Sequence, residues 1–200
     1  ELFKQTETKI NRLPYIICDE PYRAITYNGK TVASIFNEYN NSVILTSFAK
    51  NLSIPGERLG YLCVNPLCSE SKELIASCIL ATRILGYVNA PAFFQKVIAK
   101  SWQCKCDYSL YEKRCNEITE IMDYAGLKYI KPEGAFYLFV KVPDNWNNDD
   151  MAFTDHMKKF NILCAPGTGF GCKGWFRISY CVAEQTILNS KEAFYKAVHE

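Results

Sequence analysis

Lys50 lies in the segment SFAKNLSIPGERLGY, residues 47–61, with Ser47 just ahead of it and Arg58 and two glycines following. The run SVILTS (42–47) that leads into the segment is rich in apolar and β-branched residues and reads as a strand. Lys50 therefore follows a strand end directly. In open α/β sheets ligands bind at the carboxyl ends of strands, so this lysine is placed to project into a crevice. A lysine amine partly removed from water loses proton affinity and becomes competent to form a Schiff base with a carbonyl.

Two further clusters have chemical potential. DEPY (19–22) puts the carboxylate of Asp19 and the phenol of Tyr22 at the end of an isoleucine-rich run, YIICD (15–19). A carboxylate can keep a pyridine nitrogen protonated, which makes the ring an electron sink, and a phenol can hydrogen-bond a ring hydroxyl; a pyridine-based cofactor requires both. APGTGFGCKGWFRISY (165–180) sets Arg177 in an otherwise apolar strand. A guanidinium there suits a planar anion such as a carboxylate, gripped by two parallel hydrogen bonds. Taken singly, a strand-end aspartate is most often a turn or cap residue, and an arginine is most often solvated or in a weak surface pair.

The elements that must position these residues fall into two groups. The charged opening stretch ELFKQTETKINRL reads as a helix, residues 15–19 and 42–47 as buried strands, and 59–64 as a third strand after the breakers Pro55 and Gly56. Residues 70–86 read as a helix, and Pro91 sits near the start of another, where its missing N–H costs little. A long amphipathic helix follows, with Tyr108, Tyr111, Cys115, Ile118 and Met122 on one face and Gly126 as its stop. Beyond it lie short strands near 127–131, 135–142, 161–165 and 175–180, with helices around 150–160 and 184–198. Strands flanked by helices argue α/β for the first part, residues 1–106, and a smaller α+β domain for residues 107–200. With no proline- or glycine-rich linker between them, the boundary is expected within the long helix.

Composition narrows the function. Lysine and arginine number 23 against 21 acidic residues, and no basic run with interleaved aromatics occurs, so the footprint of a nucleic-acid binder is missing. No stretch approaches the roughly 18 apolar residues of a spanning helix, so a soluble protein with no membrane partner is expected. The ten cysteines have neither zinc-ribbon nor CxxC spacing; Cys18, Cys63 and Cys181 sit in apolar runs and read as buried, reduced thiols, which suits the cytoplasm. No metal site is expected with only His156 and His199. The chain opens at Glu1 without a methionine and reads like a fragment.

Two short motifs point elsewhere. Ser47 to Lys50 fits the SxxK of serine β-lactamases, but neither an SDN nor a KTG triplet accompanies it. Gly169 to Gly174 fits GxGxxG, but the chain ends too soon for the acidic residue of a dinucleotide site, and positive-φ turn glycines are the better reading.

The three chemical segments, in this order, together with LGYVNAPAFFQ (85–95) and PEGAFYLF (132–139), resemble the class I and II aminotransferases over nearly the whole chain. The resemblance implies the C-terminal half of a pyridoxal-phosphate enzyme of fold type I. That is an α/β large domain of aspartate aminotransferase type with a mixed, mostly parallel sheet, then a small α+β domain. It implies that Lys50 carries pyridoxal 5′-phosphate as a Schiff base and then moves the proton between the substrate Cα and the cofactor. Asp19 would pair with the pyridinium nitrogen, Tyr22 with the 3′ oxygen, Ser47 and Arg58 with the phosphate, and Arg177 with the substrate α-carboxylate. The partners implied are an α-amino acid, a 2-oxo acid and a second subunit in a homodimer. A pyridoxal-phosphate lyase or synthase, or a folded but catalytically incomplete fragment, remain the alternatives.

Overall fold

The computed structural model describes residues 13–200; the helix read over residues 1–13 lies, apart from Leu13, outside them. The chain forms two compact units, one ending at Ala24 and resuming over Thr31–Cys106, the other comprising Ile25–Lys30 and Asp107–Glu200.

In the first unit β1 (Ile16–Asp19), β2 (Ser42–Ser47) and β3 (Gly60–Val64) form a mixed sheet in that order, β1 and β2 parallel, β2 and β3 antiparallel. Around it run the short helices α1 (Ile35–Glu38) and α2 (Phe48–Asn51) and the longer α3 (Ser71–Ile84) and α4 (Ala92–Ser101). Val43 and Val64 are buried against Cys68, with Leu45 and Leu74 packed on them, so α3 covers one face of the sheet. The entry to β2 is set by Asn65, whose buried side-chain amide donates to the carbonyls of Phe36 and Tyr39 and to the Ser42 hydroxyl. A buried amide needs such partners, and here they pin three segments together.

The outer strands of this sheet, β1 and β3, are less buried than their composition suggested. Ile17 is 66% exposed, and Tyr61 and Leu62 on β3 are exposed as well. The cysteines also depart from expectation: all ten are free thiols, but Cys18 and Cys63 are half-buried and Cys181 is exposed.

The second unit is α+β. Its sheet, order β4 (Tyr129–Ile130), β5 (Tyr137–Lys141), β7 (Trp175–Ser179), β6 (Ala165–Pro166), is antiparallel throughout. Helices α5 (Ser109–Ala125), α6 (Asp150–Met157), α7 (Glu184–Asn189) and α8 (Lys191–His199) accompany it. Leu138 and Val140 of β5 and Phe176 and Ile178 of β7 point into the core with Met122, Phe153 and Phe194. Because strand side chains alternate, the same two strands present Tyr137, Phe139 and Arg177 on the opposite face. Helix α5 ends at Gly126, whose left-handed φ of 76° closes it, and Cys115, Ile118 and Met122 are buried while Tyr111 is half-buried.

The division between the units falls at Cys106/Asp107, ahead of α5 rather than inside it. Residues Ile25–Lys30 cross into the second unit for a packing reason. Thr26 bridges Gly134, where an added Cβ would lie 2.4 Å from the Ile25 carbonyl oxygen, and the Tyr27 hydroxyl bonds the Ala135 carbonyl and lies 3.0 Å from the Tyr180 hydroxyl. Burial pushes the Tyr27 phenol up to about 12 and raises that of Tyr180 as well.

Candidate functional site

Parallel pairing brings the carboxyl ends of β1 and β2 side by side. Asp19, the last residue of β1, is in register with Leu45, and Ser47, the last residue of β2, is opposite Gly60 on β3. Two bonds tie these ends together: the Glu20 amide donates to the Leu45 carbonyl at 2.8 Å, and the Thr46 hydroxyl donates to the Glu20 carbonyl at 3.2 Å. Gly60 is required at the far side, since a Cβ there would meet the Thr46 carbonyl oxygen at 2.5 Å.

The chain leaves β2 straight into the single turn α2, which carries Lys50, and the Phe48 amide donates to the Leu59 carbonyl at 3.0 Å, tying that turn to the start of β3. Lys50 is half-buried, and its ammonium lies 5.6 Å from the centre of the Tyr22 ring, within cation–π range. Arg58 closes the turn Pro55–Glu57 with φ 53° and ψ 45°. A residue with a Cβ in the left-handed region is held there by its surroundings, and such positions gather at ligand-handling turns. The exposed Arg58 donates to the Pro55 carbonyl at 2.8 Å, which uses one of its five N–H donors. Asp19 is exposed, and Tyr22 and Ser47 are half-buried.

A cavity of about 810 Å³ opens beside Arg58, walled among others by Phe48, Tyr61, Asn89 and Trp102. Of the five residues at the strand ends, Arg58 alone lines it.

Arg177 belongs to the second unit. It pairs with Phe139 on β5 and Ala165 on β6, and its guanidinium carbon lies 4.4 Å from the Tyr137 ring centre and 4.0 Å from that of Phe170. Both rings lie within cation–π range of the guanidinium, and its N–H groups are what it can offer an anion. Among the described residues no carboxylate pairs with it. Tyr137 and Phe170 carry no signal of this role in the sequence, because their meeting with Arg177 depends on strand register and on the turn Gly167–Phe170. In that segment Gly171 and Gly174 have positive φ and Gly169 does not, and the chain runs into β7 rather than opening a helix. Among the described residues no group of three or more His, Cys, Asp or Glu could hold a metal, and no helix is long and apolar enough to cross a membrane.

The family model for aminotransferase class I and II matches residues 9–194. The chain belongs to the class I and II aminotransferases. Within that family it is 25% identical over 197 residues to aromatic-amino-acid aminotransferase 2 of Thermococcus litoralis, covering 92% of this chain and 49% of the relative. It is 26% identical over 178 residues to the aspartate aminotransferase of Thermotoga maritima, covering 86% of this chain and 44% of the relative. The solved aminotransferase of Eubacterium rectale superposes with a TM-score of 0.93 at 39% identity, over 99% of this chain and 49% of that one. The chain spans about half the length of the curated relatives it matches. The α/β architecture with a mixed sheet in the first unit is the aminotransferase fold these structures share.

Proposed function

We propose that the protein carrying this chain is a pyridoxal-phosphate-dependent aminotransferase that moves an amino group between an α-amino acid and a 2-oxo acid. The observation that supports it is the donor set at the carboxyl ends of β1 and β2: one amine, one carboxylate, one phenol, one hydroxyl and one guanidinium, on Lys50, Asp19, Tyr22, Ser47 and Arg58. Each suits one part of pyridoxal phosphate. The Lys50 amine would hold the aldehyde carbon, Asp19 the ring nitrogen, Tyr22 the ring oxygen, and Ser47 with Arg58 the phosphate. When bound, the cofactor supplies an electron sink for the charge that develops at the substrate Cα.

The chain's own residues then have distinct tasks. Asp19 would keep the ring nitrogen protonated. Lys50 would act as the general base that takes the Cα proton and would deliver it to the cofactor's aldehyde carbon. Arg177 fixes the α-carboxylate along its N–H edge and so orients the Cα–H bond. The relatives named above act on aromatic amino acids and on aspartate, and an α-amino acid is what those substrates have in common.

In this reading the first unit is part of the cofactor-binding large domain and the second unit is the small domain. Ten free thiols suit a reducing compartment, and the cytoplasm is the location we assign. A homodimer is part of the reading, supported by exposed apolar side chains along α3 and α4, among them Ile79, Leu80, Ile84 and Phe93.

Borohydride reduction of the full-length protein in the presence of pyridoxal phosphate, followed by peptide mapping, tests the assignment. A pyridoxyl group on Lys50 is expected, with loss of the amino-acid half-reaction in Lys50→Ala. An adduct on another lysine, with Lys50 unmodified, refutes it.

A further inference from the structure

The loop between β6 and β7 carries Phe170, one of the two rings that cover Arg177. Its shape is closed by its own backbone: the Cys172 amide donates to the Gly167 carbonyl at 2.9 Å, and a Cβ on Gly167 would sit 2.2 Å from the Cys172 carbonyl oxygen. Backbone bonds of that kind fix the turn but not its position on the sheet. Position comes from one carboxylate. Asp150, at the first turn of α6 and only 1% exposed, accepts the Thr168 amide at 2.7 Å and the Thr168 hydroxyl at 2.9 Å at one end of the loop, and the Gly174 amide at 3.1 Å at the other. Burial alone would raise the Asp150 carboxyl, yet these donors outweigh it and hold the group below its ordinary range, so it is anionic in the folded protein.

A buried carboxylate that takes three donors from two ends of one loop is a clamp on that loop. Gly174 precedes β7 directly, and Arg177 follows three residues later, so the clamp also fixes the register at which the strand begins. We propose that Asp150 is a positioning residue for substrate recognition: by tying Thr168 to Gly174 it holds the Phe170 ring against the Arg177 guanidinium and keeps the N–H edge of that arginine set for a carboxylate. This rests on the reading of Arg177 as the substrate-carboxylate clamp. Asp150 would act through Arg177, since its carboxylate is engaged by Thr168 and Gly174.

The loop's dependence on a carboxylate can be probed at constant size. In Asp150→Asn the amide has one acceptor oxygen, and its NH2 opposes one of the donors that the carboxylate satisfied. Thr168→Val removes only the hydroxyl donor. The test uses the full-length protein and a single-turnover amino-acid half-reaction, reading the substrate dissociation constant, the limiting rate and the cofactor absorbance. Each of the two substitutions is combined with Arg177→Lys.

Asp150→Asn is expected to raise the substrate dissociation constant about tenfold, with Thr168→Val giving about threefold, while cofactor absorbance stays at the wild-type value. In the Arg177→Lys background the same substitutions should change the constant by less than about twofold, because the group they position is gone. An unchanged constant in Asp150→Asn overturns the proposal, as does an equal fold-loss in both backgrounds, which would mark a general loosening of the unit. Should Asp150→Asn fail to fold, Thr168→Val decides by the same comparison. If Arg177→Lys alone binds substrate like wild type, it is the carboxylate-clamp reading that has failed, and the role of Asp150 falls with it.

Discussion

Arg177→Lys separates charge from geometry at the proposed carboxylate clamp. The Arg177 guanidinium carbon lies 4.4 Å from the Tyr137 ring centre and 4.0 Å from that of Phe170, and the proposed clamp uses its N–H groups. A lysine keeps the positive charge and can still sit near a ring, but it presents a single point donor in place of two parallel N–H groups. A hydrogen bond to a charged group contributes about 1.5–3 kcal/mol, so losing one of two removes about 2 kcal/mol. At about 1.4 kcal/mol per factor of ten, the KM for the amino acid should rise about thirtyfold. The limiting rate should change less, since Lys50 and Asp19, the groups proposed to act on the reacting atoms, are untouched. Spectrophotometric half-reactions over a range of amino-acid concentrations give both numbers, and a pyridoxal-phosphate titration checks that cofactor affinity is unaltered. A wild-type KM in this variant would refute the carboxylate role, and an equal loss in cofactor affinity would refute the separation of tasks between the two units.

Asp19→Asn should preserve the fold and cofactor uptake but slow Cα proton abstraction by orders of magnitude, each 1.4 kcal/mol of lost stabilisation costing about tenfold in rate; near-normal single-turnover kinetics would contradict its role. Gly60→Ala forces a Cβ to within 2.5 Å of the Thr46 carbonyl oxygen. It should destabilise the protein by about 1–3 kcal/mol in denaturant titration, and an unchanged midpoint would mean that β2 and β3 separate freely. Burial holds Tyr27 protonated to about 12 against 10.0 for the free phenol, so the unfolded chain releases this proton first. Stability from Tyr27 is therefore complete below pH 10 and falls as pH rises toward 12, and melting temperatures across that window should decline less steeply in Tyr27→Phe.

The parts of the fold that could be read from the sequence are those governed by local rules. The spacing of Cys115, Ile118 and Met122 identifies α5 because a helix repeats every 3.6 residues, and Gly126 ends it because glycine tolerates φ of 76°. SVILTS identifies β2, and with it the strand-end position of Lys50, because apolar β-branched runs suit a pleated sheet. Pairing is another matter. That β1 and β2 run parallel, which sets Asp19 and Ser47 at neighbouring strand ends, depends on a crossover whose course no local pattern encodes. The transfer of Ile25–Lys30 to the second unit depends on the fit of Gly134 against Ile25 and on the Tyr27–Tyr180 contact, two residues 153 positions apart.

The same distinction runs through the candidate site. The amine, carboxylate, phenol and guanidiniums announce themselves by residue type, because few other side chains can form a Schiff base, protonate a pyridine or grip a carboxylate. The groups that hold them do not. Phe170 is an ordinary apolar residue until the loop folds it over Arg177, and Asp150 reads as one more acid at a helix start until its carboxylate meets Thr168 and Gly174 from across the unit. Reactive groups are constrained by chemistry, which is local to the side chain, whereas positioning groups are constrained by distance, which exists only after folding. On the proposal made above, a substitution at Asp150 looks conservative in the sequence and still moves the Arg177 guanidinium, since a transaminase site depends on orientation held to a fraction of an ångström.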